Sequence, residues 1–105
     1  MAYKVNITDN AGEQYDRLIS YLINNLDNLQ AARHLNSSIA TILNRLEANP
    51  LQFPLCVDET LGTKRLRKAI VKDMDYLVIF NIDEKCNIVH VLGIFHGLEN
   101  YFKKI

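Results

Sequence analysis

Five of the chain's twelve basic residues fall within nine positions: Lys64, Arg65, Arg67, Lys68 and Lys72. On an extended segment side chains alternate, so Arg65 and Arg67 share one face while Lys64, Lys68 and Lys72 share the other. Such a surface can bind RNA phosphates or the carboxylates of an acidic protein segment. It equally fits a solvated edge strand whose lysines discourage pairing with another chain. Of three histidines, His96 ends an apolar stretch just before Gly97, which places it at a sheet edge. There it either moves a proton or bonds a backbone group. His90 has the same parity on the same stretch, about 20 Å away along a strand, too far to share a metal ion. His34 lies within a helical pattern and reads as a surface residue. Cys56 and Cys86 accompany no CxxC pair and no Cys/His ligand spacing, so two free thiols in a reducing cytoplasm are expected. Cys86 reads as a small apolar filler at the start of a strand. No metal or cofactor is expected.

These residues need elements to position them. Tyr3 to Thr8 alternates apolar and polar residues, the pattern of a half-buried strand. Asn10 with Glu13 resembles a capping box, and Tyr15, Leu18, Ile19, Leu22, Leu26 and Leu29 follow at helical spacing. Asp27 with Gln30 gives a second capping signal. The next stripe is Leu35, Ile39, Ile42, Leu43 and Leu46, ended by Asn49-Pro50. So short a joint makes the two helices antiparallel. From Pro50 to Thr63 there is no period; Phe53, Pro54 and Leu55 are expected to anchor an ordered loop.

Lys64 to Lys72 reads as a largely wet strand, Asp73–Asp75 as a turn, and Tyr76 to Ile82 as an interior strand, apolar on both faces. Asp83–Lys85 is another turn, and Asn87 to Phe95 a second interior strand, so the last three strands form a meander ending at His96. Leu98 to Ile105 reads as a short helix or a tail packed by Tyr101 and Phe102. The order is β-α-α-β-β-β-(α), an α+β arrangement with a helical hairpin packed on a small, mainly antiparallel sheet. The first strand is expected beside the last strand of the meander.

Composition bounds the function. At 105 residues and 49% hydrophobic, the chain is expected to form one soluble domain, residues 1–105, with a core of its own. Formal net charge is zero, so binding to nucleic acid would need a local patch. The N-terminus lacks the apolar region of a signal peptide, and the longest apolar run, Tyr76–Phe80, is too short to span a membrane.

Several segments, in this order, resemble the RelE/ParE superfamily of bacterial type II toxin–antitoxin toxins. They are Tyr3-Lys4-Val5-Asn6-Ile7-Thr8, Ala31-Ala32, Leu46-Glu47-Ala48-Asn49-Pro50, Leu66-Arg67-Lys68, Asp75-Tyr76-Leu77-Val78-Ile79-Phe80 and Val91-Leu92-Gly93-Ile94-Phe95-His96-Gly97. The resemblance implies a cytoplasmic toxin silenced by a cognate antitoxin. RelE-like members are ribosome-dependent mRNA endoribonucleases (mRNA interferases); ParE-like members poison DNA gyrase and serve plasmid stabilisation.

The resemblance also implies the site. Cutting RNA without a metal takes an acid, a base and cations for the developing phosphorane charge. RelE-like nucleases are similar in supplying lysines on the first meander strand, an arginine early in the second, and a C-terminal arginine with a tyrosine or a histidine. Here Tyr76 stands at the second-strand arginine position, and no arginine occurs in Gly93–Asn100. Tyr101 stands at the tyrosine position and His96 at the histidine position. The expectation is therefore a gyrase-inhibiting toxin closer to ParE. The alternative is an mRNA endoribonuclease with His96 as acid, Arg67 and Lys68 for phosphate charge, and Tyr76 or Tyr101 for orientation. A decayed toxin retaining only a binding role is the third reading. In each case an exposed apolar face is expected on the hairpin or the sheet, for the antitoxin to bury.

Overall fold

The alternating N-terminal segment forms strand β1, Lys4–Ile7, which runs directly into helix α1, Asp9–Ser20. In this computed structural model residues 2–56 and 65–96 are described. The expectations on Lys64, Gly97, Tyr101 and the segment 98–105, and on residues 57–63 of the loop, lie outside the described residues.

The cap of α1 is Thr8 rather than Asn10. Its Oγ1 accepts from Ala11 N at 3.3 Å and donates to Val91 O at 2.7 Å, joining helix start to sheet. Asn10 is already inside the helix, and its Nδ2 donates to Leu92 O at 3.0 Å instead. Glu13, freed from a capping role, pairs with Arg17 at 3.8 Å on the exposed face. Thr8→Ala removes both bonds and is expected to lower stability by about 1–2 kcal/mol, read by denaturant unfolding; a cost within a few tenths would place the cap elsewhere.

After Ser20 the helix widens into a π-helical turn, Tyr21–Asn25, in which Leu26 N donates to Tyr21 O at 3.1 Å. The wider turn slips the helical phase. The inward stripe therefore stops at Leu22, and Leu26 and Leu29, expected to continue it, are 52% and 50% exposed. Asp27 is not a cap: it takes a left-handed φ of 47° in the joint. The cap of α2, Leu29–Ala48, is Asn28, whose Oδ1 accepts from Ala31 N at 3.0 Å. Ala32, Leu35, Ile39, Ile42 and Leu46 form the buried face of α2.

Asn49-Pro50 ends α2 and starts a single 3-10 turn, Pro50–Gln52. Phe53 then seats its ring edge-on against Phe80, with centroids 5.7 Å apart. Pro54 and Leu55 hold the loop through their backbone, Pro54 O accepting from Lys68 N and Leu55 bridging to Arg67, while their side chains stay exposed; the buried side chains there are Phe53 and Cys56.

The remaining strands are β2, Arg67–Ile70, β3, Tyr76–Asp83, and β4, Ile88–His96. The sheet order is β1-β4-β3-β2, with β1 parallel to β4 and the other pairs antiparallel. The meander and the place of β1 agree with the sequence. Strand β2 is shorter than expected, because Arg65 adopts a left-handed φ of 60° before it and Val71 leads into the turn after it. Cys86 lies exposed in the turn between β3 and β4, where Asp83 Oδ1 accepts from Lys85 N and Cys86 N; it is not a buried filler.

The hairpin covers one face of the sheet, burying Ala69, Val71, Val78, Phe80, Val89, Val91 and Ile94 against both helices. The other face carries a smaller cluster of Cys56, Leu66, Ile79 and Phe95. A register shift at Ile79/Phe80 lets Gly93 pair with Ile79 while Val91 pairs with Phe80. Leu92 is the extra residue, and alternation along β4 reverses there. Beyond Ile7, where β1 stops, side chains from the start of α1 take over the edge of β4. Thr8 meets Val91 O, Asn10 meets Leu92 O, and Gln14 Oε1 accepts from Ile94 N at 2.9 Å.

Candidate functional site

The basic segment does not form one patch. Arg67 lies on the hairpin side of β2, half-buried, and its Nη1 donates to Phe53 O at 2.6 Å. That bond pins the loop after α2 to the sheet. Arg65 and Arg67 border one shallow depression together, but Asp83 and Glu84 line it too, along with Lys85. Carboxylates facing the arginines oppose phosphate binding there. Lys68 is on the outer face, opposite Ile79. Lys72 lies past the strand, in the turn beside α2, where its carbonyl accepts from His34 Nε2 at 3.1 Å. The expected sharing of a face by Lys68 and Lys72 fails because β2 ends at Ile70, and strand alternation ends with it.

His96 and Tyr76 are brought together. They pair across β4 and β3, and their rings meet edge to face with centroids 5.6 Å apart. Tyr76 also packs against the main core. Arg67 is four residues from Tyr76 along the strands, about 13 Å, and its guanidinium is engaged by Phe53. The expectation that His90 and His96 share a face is wrong, because the bulge at Leu92 reverses the alternation between them. His90 faces outward, where its Nδ1 accepts from Asn6 Nδ2 at 3.0 Å. His34 is at the surface, as expected, but it also ties α2 to the turn after β2.

One concave feature is almost wholly apolar. Between the two helices and the sheet lies an open groove of about 320 Å³, lined mainly by Ile7, Ala11, Gly12, Ile39, Ala40 and Leu43. Ile7 is 44% exposed at its margin. Tyr15 and Asn36 close one side by a short hydrogen bond in which the phenol donates to Asn36 Oδ1. Burial, with a smaller contribution from the charge of Asp16, raises the Tyr15 pKa, so the phenol remains a donor at neutral pH. The small residues Ala11, Gly12 and Ala40 are the sequence signal for this groove. They stand on facing helices where larger side chains would close the gap.

Among the described residues no helix is long and apolar enough to cross a membrane, and no cluster of His, Cys, Asp and Glu has the makings of a metal site.

Comparison with solved structures finds the same architecture. A chain of the chromosomal ParDE toxin–antitoxin system from P. aeruginosa superposes with a TM-score of 0.71 at 15% identity, over 90% of this chain and 96% of that one. A chain of the RelBE2 toxin–antitoxin complex from Mycobacterium tuberculosis superposes with a TM-score of 0.53, also at 15% identity, over 91% and 99%. No curated protein matches by sequence. The family model for the ParE toxin of the type II toxin–antitoxin system, parDE, matches residues 5–101. With nearly its whole length inside that match, the chain belongs to the ParE toxin family of type II toxin–antitoxin systems.

Proposed function

We propose that residues 1–105 act as one toxin domain that inhibits DNA gyrase by protein–protein binding, and that a cognate antitoxin neutralises it by filling the groove between α1, α2 and the sheet. The observation that carries the choice of gyrase over RNA is the engagement of Arg67. Its guanidinium is bonded to the Phe53 carbonyl, about 13 Å along the strands from the Tyr76–His96 pair. Phosphoryl chemistry needs cations already aimed at the developing charge. An inhibitor that works by binding needs no such assembly. Support for the antitoxin reading comes from the apolar groove and from the likeness to chains of the ParDE system and the RelBE2 toxin–antitoxin complex.

The contact between Tyr76 and His96 favours one second reading, an mRNA endoribonuclease with His96 as general acid. Expression of the chain alone in a bacterium separates the two. The gyrase reading expects growth arrest with an SOS response and cleaved DNA, and expects His96→Ala to retain at least half of that effect. Rapid loss of translation with cut mRNA, abolished by His96→Ala, would establish the nuclease instead.

A further inference from the structure

We propose that a second cleft, on the other flank of α2, docks an extended acidic segment of a partner protein. The two flanks of α2 are chemically unlike. Ile39, Ala40 and Leu43 border the apolar groove. His34, Ser38, Thr41 and Arg45, spaced three and four apart and so stacked along one stripe, border a cleft of about 240 Å³ closed by Ile70 and Lys72. Two permanent cations line this cleft and no carboxylate does.

Arg45 is held in place before any ligand arrives. Its guanidinium lies 4.6 Å from the centre of the Phe53 ring, and Nε and Nη2 donate to Gln52 Oε1 at 3.1 and 2.7 Å. Nη1 makes no hydrogen bond among the described residues. The bond from His34 Nε2 to the Lys72 carbonyl fixes the turn that carries the second cation. A carboxylate entering here meets charges whose positions cost little entropy to keep.

The backbone decides between a polypeptide and a phosphate chain. Cys56 N donates to Leu66 O at 2.8 Å and Lys68 N to Pro54 O at 3.1 Å, so residues 54–56 cover the first part of the outer edge of β2. The next residue to face outward, by alternation, is Ile70. Because Val71 N bonds to Tyr76 O, the N–H and C=O of Ile70 point away from β3, and its side chain is 68% exposed. An edge that offers both a donor and an acceptor is completed by another peptide strand; a phosphate backbone supplies acceptors only. A strand laid against Ile70 carries alternate side chains toward α2, where a Glu or Asp reaches Arg45 and Lys72. This cleft is separate from the apolar groove, so the inference holds whether or not an antitoxin fills that groove.

The test is an amide chemical-shift titration of the full chain with a capped octapeptide alternating Glu and Val. Saturable shifts are expected at Ser38, Thr41, Ile70 and Lys72, and none with the matching Lys/Val peptide. Lys72→Gln, an exposed change, should weaken binding about two- to fivefold, as should Arg45→Gln where the chain still folds. The inference is overturned by the absence of a saturable shift at millimolar peptide, or by shifts confined to groove residues such as Gly12 and Ala40. It is also overturned if inorganic phosphate or a polyuridine oligonucleotide gives the same shifts at equal or lower concentration.

Discussion

Replacing Gly93 with alanine is expected to destabilise the chain by about 2–4 kcal/mol, while the same change at Gly12 stabilises it by about 0.5–1 kcal/mol. A Cβ on Gly93 would stand 2.4 and 2.5 Å from ring carbons of Phe95 and 2.7 Å from Gln14 Oε1. Phe95 is buried in the outer cluster, so its ring has no room to retreat. Gln14 could swing away, but it would abandon the Ile94 amide at the bulge. Overpacking and a lost hydrogen bond therefore add. Gly12 meets nothing within 4 Å and lies in the first half of α1, where alanine lowers only the entropic cost of helix formation. Urea unfolding of both variants checks the pair. Equal effects would mean that the bulge is not held as described.

Gly12→Arg is expected to separate neutralisation from toxicity. The open space over Gly12 faces the groove, so the new side chain fills it without entering the core. Antitoxin affinity should fall at least about a hundredfold, roughly 2.7 kcal/mol, because an anchor lost from the centre of an interface costs that much. Toxicity of the chain expressed alone should persist. Co-expression with the antitoxin then fails to rescue growth for Gly12→Arg and succeeds for Gly12→Ala. Full rescue of both variants would remove the groove from the antitoxin interface.

The parts of the fold that were legible in the sequence depend on long, regular apolar patterns. Leu35, Ile39, Ile42 and Leu46 fix the buried face of α2, and Tyr76–Phe80 marks an interior strand because neither of its faces is polar. The misread parts are single-residue events that shift a period. The π-turn at Tyr21–Asn25 turns Leu26 and Leu29 outward, and the extra residue Leu92 puts His90 and His96 on opposite faces. Neither event leaves a compositional mark, because each depends on how the backbone bonds. Both caps were displaced for a similar reason: Thr8 and Asn28 sit beside Asn10 and Asp27, which are as capable of capping by type. Only the direction of the entering chain separates them.

The candidate site divides in the same way. Tyr76 and His96 were each legible as candidates, and the meander was too, but their meeting is set by the register of β3 on β4. The capture of Arg67 by the Phe53 carbonyl was not legible, since it depends on where the loop after α2 returns. The grouping of basic residues failed at both ends of β2, where Arg65 and Lys72 leave the strand.

The most direct test of gyrase inhibition is supercoiling of relaxed plasmid by purified gyrase in the presence of the folded chain. Loss of supercoiling is expected, with cleaved DNA accumulating, once the chain's concentration exceeds the dissociation constant of the pair, and equally with His96→Ala. Undiminished supercoiling at large excess of the chain, alongside cut mRNA in a translating extract, would contradict it.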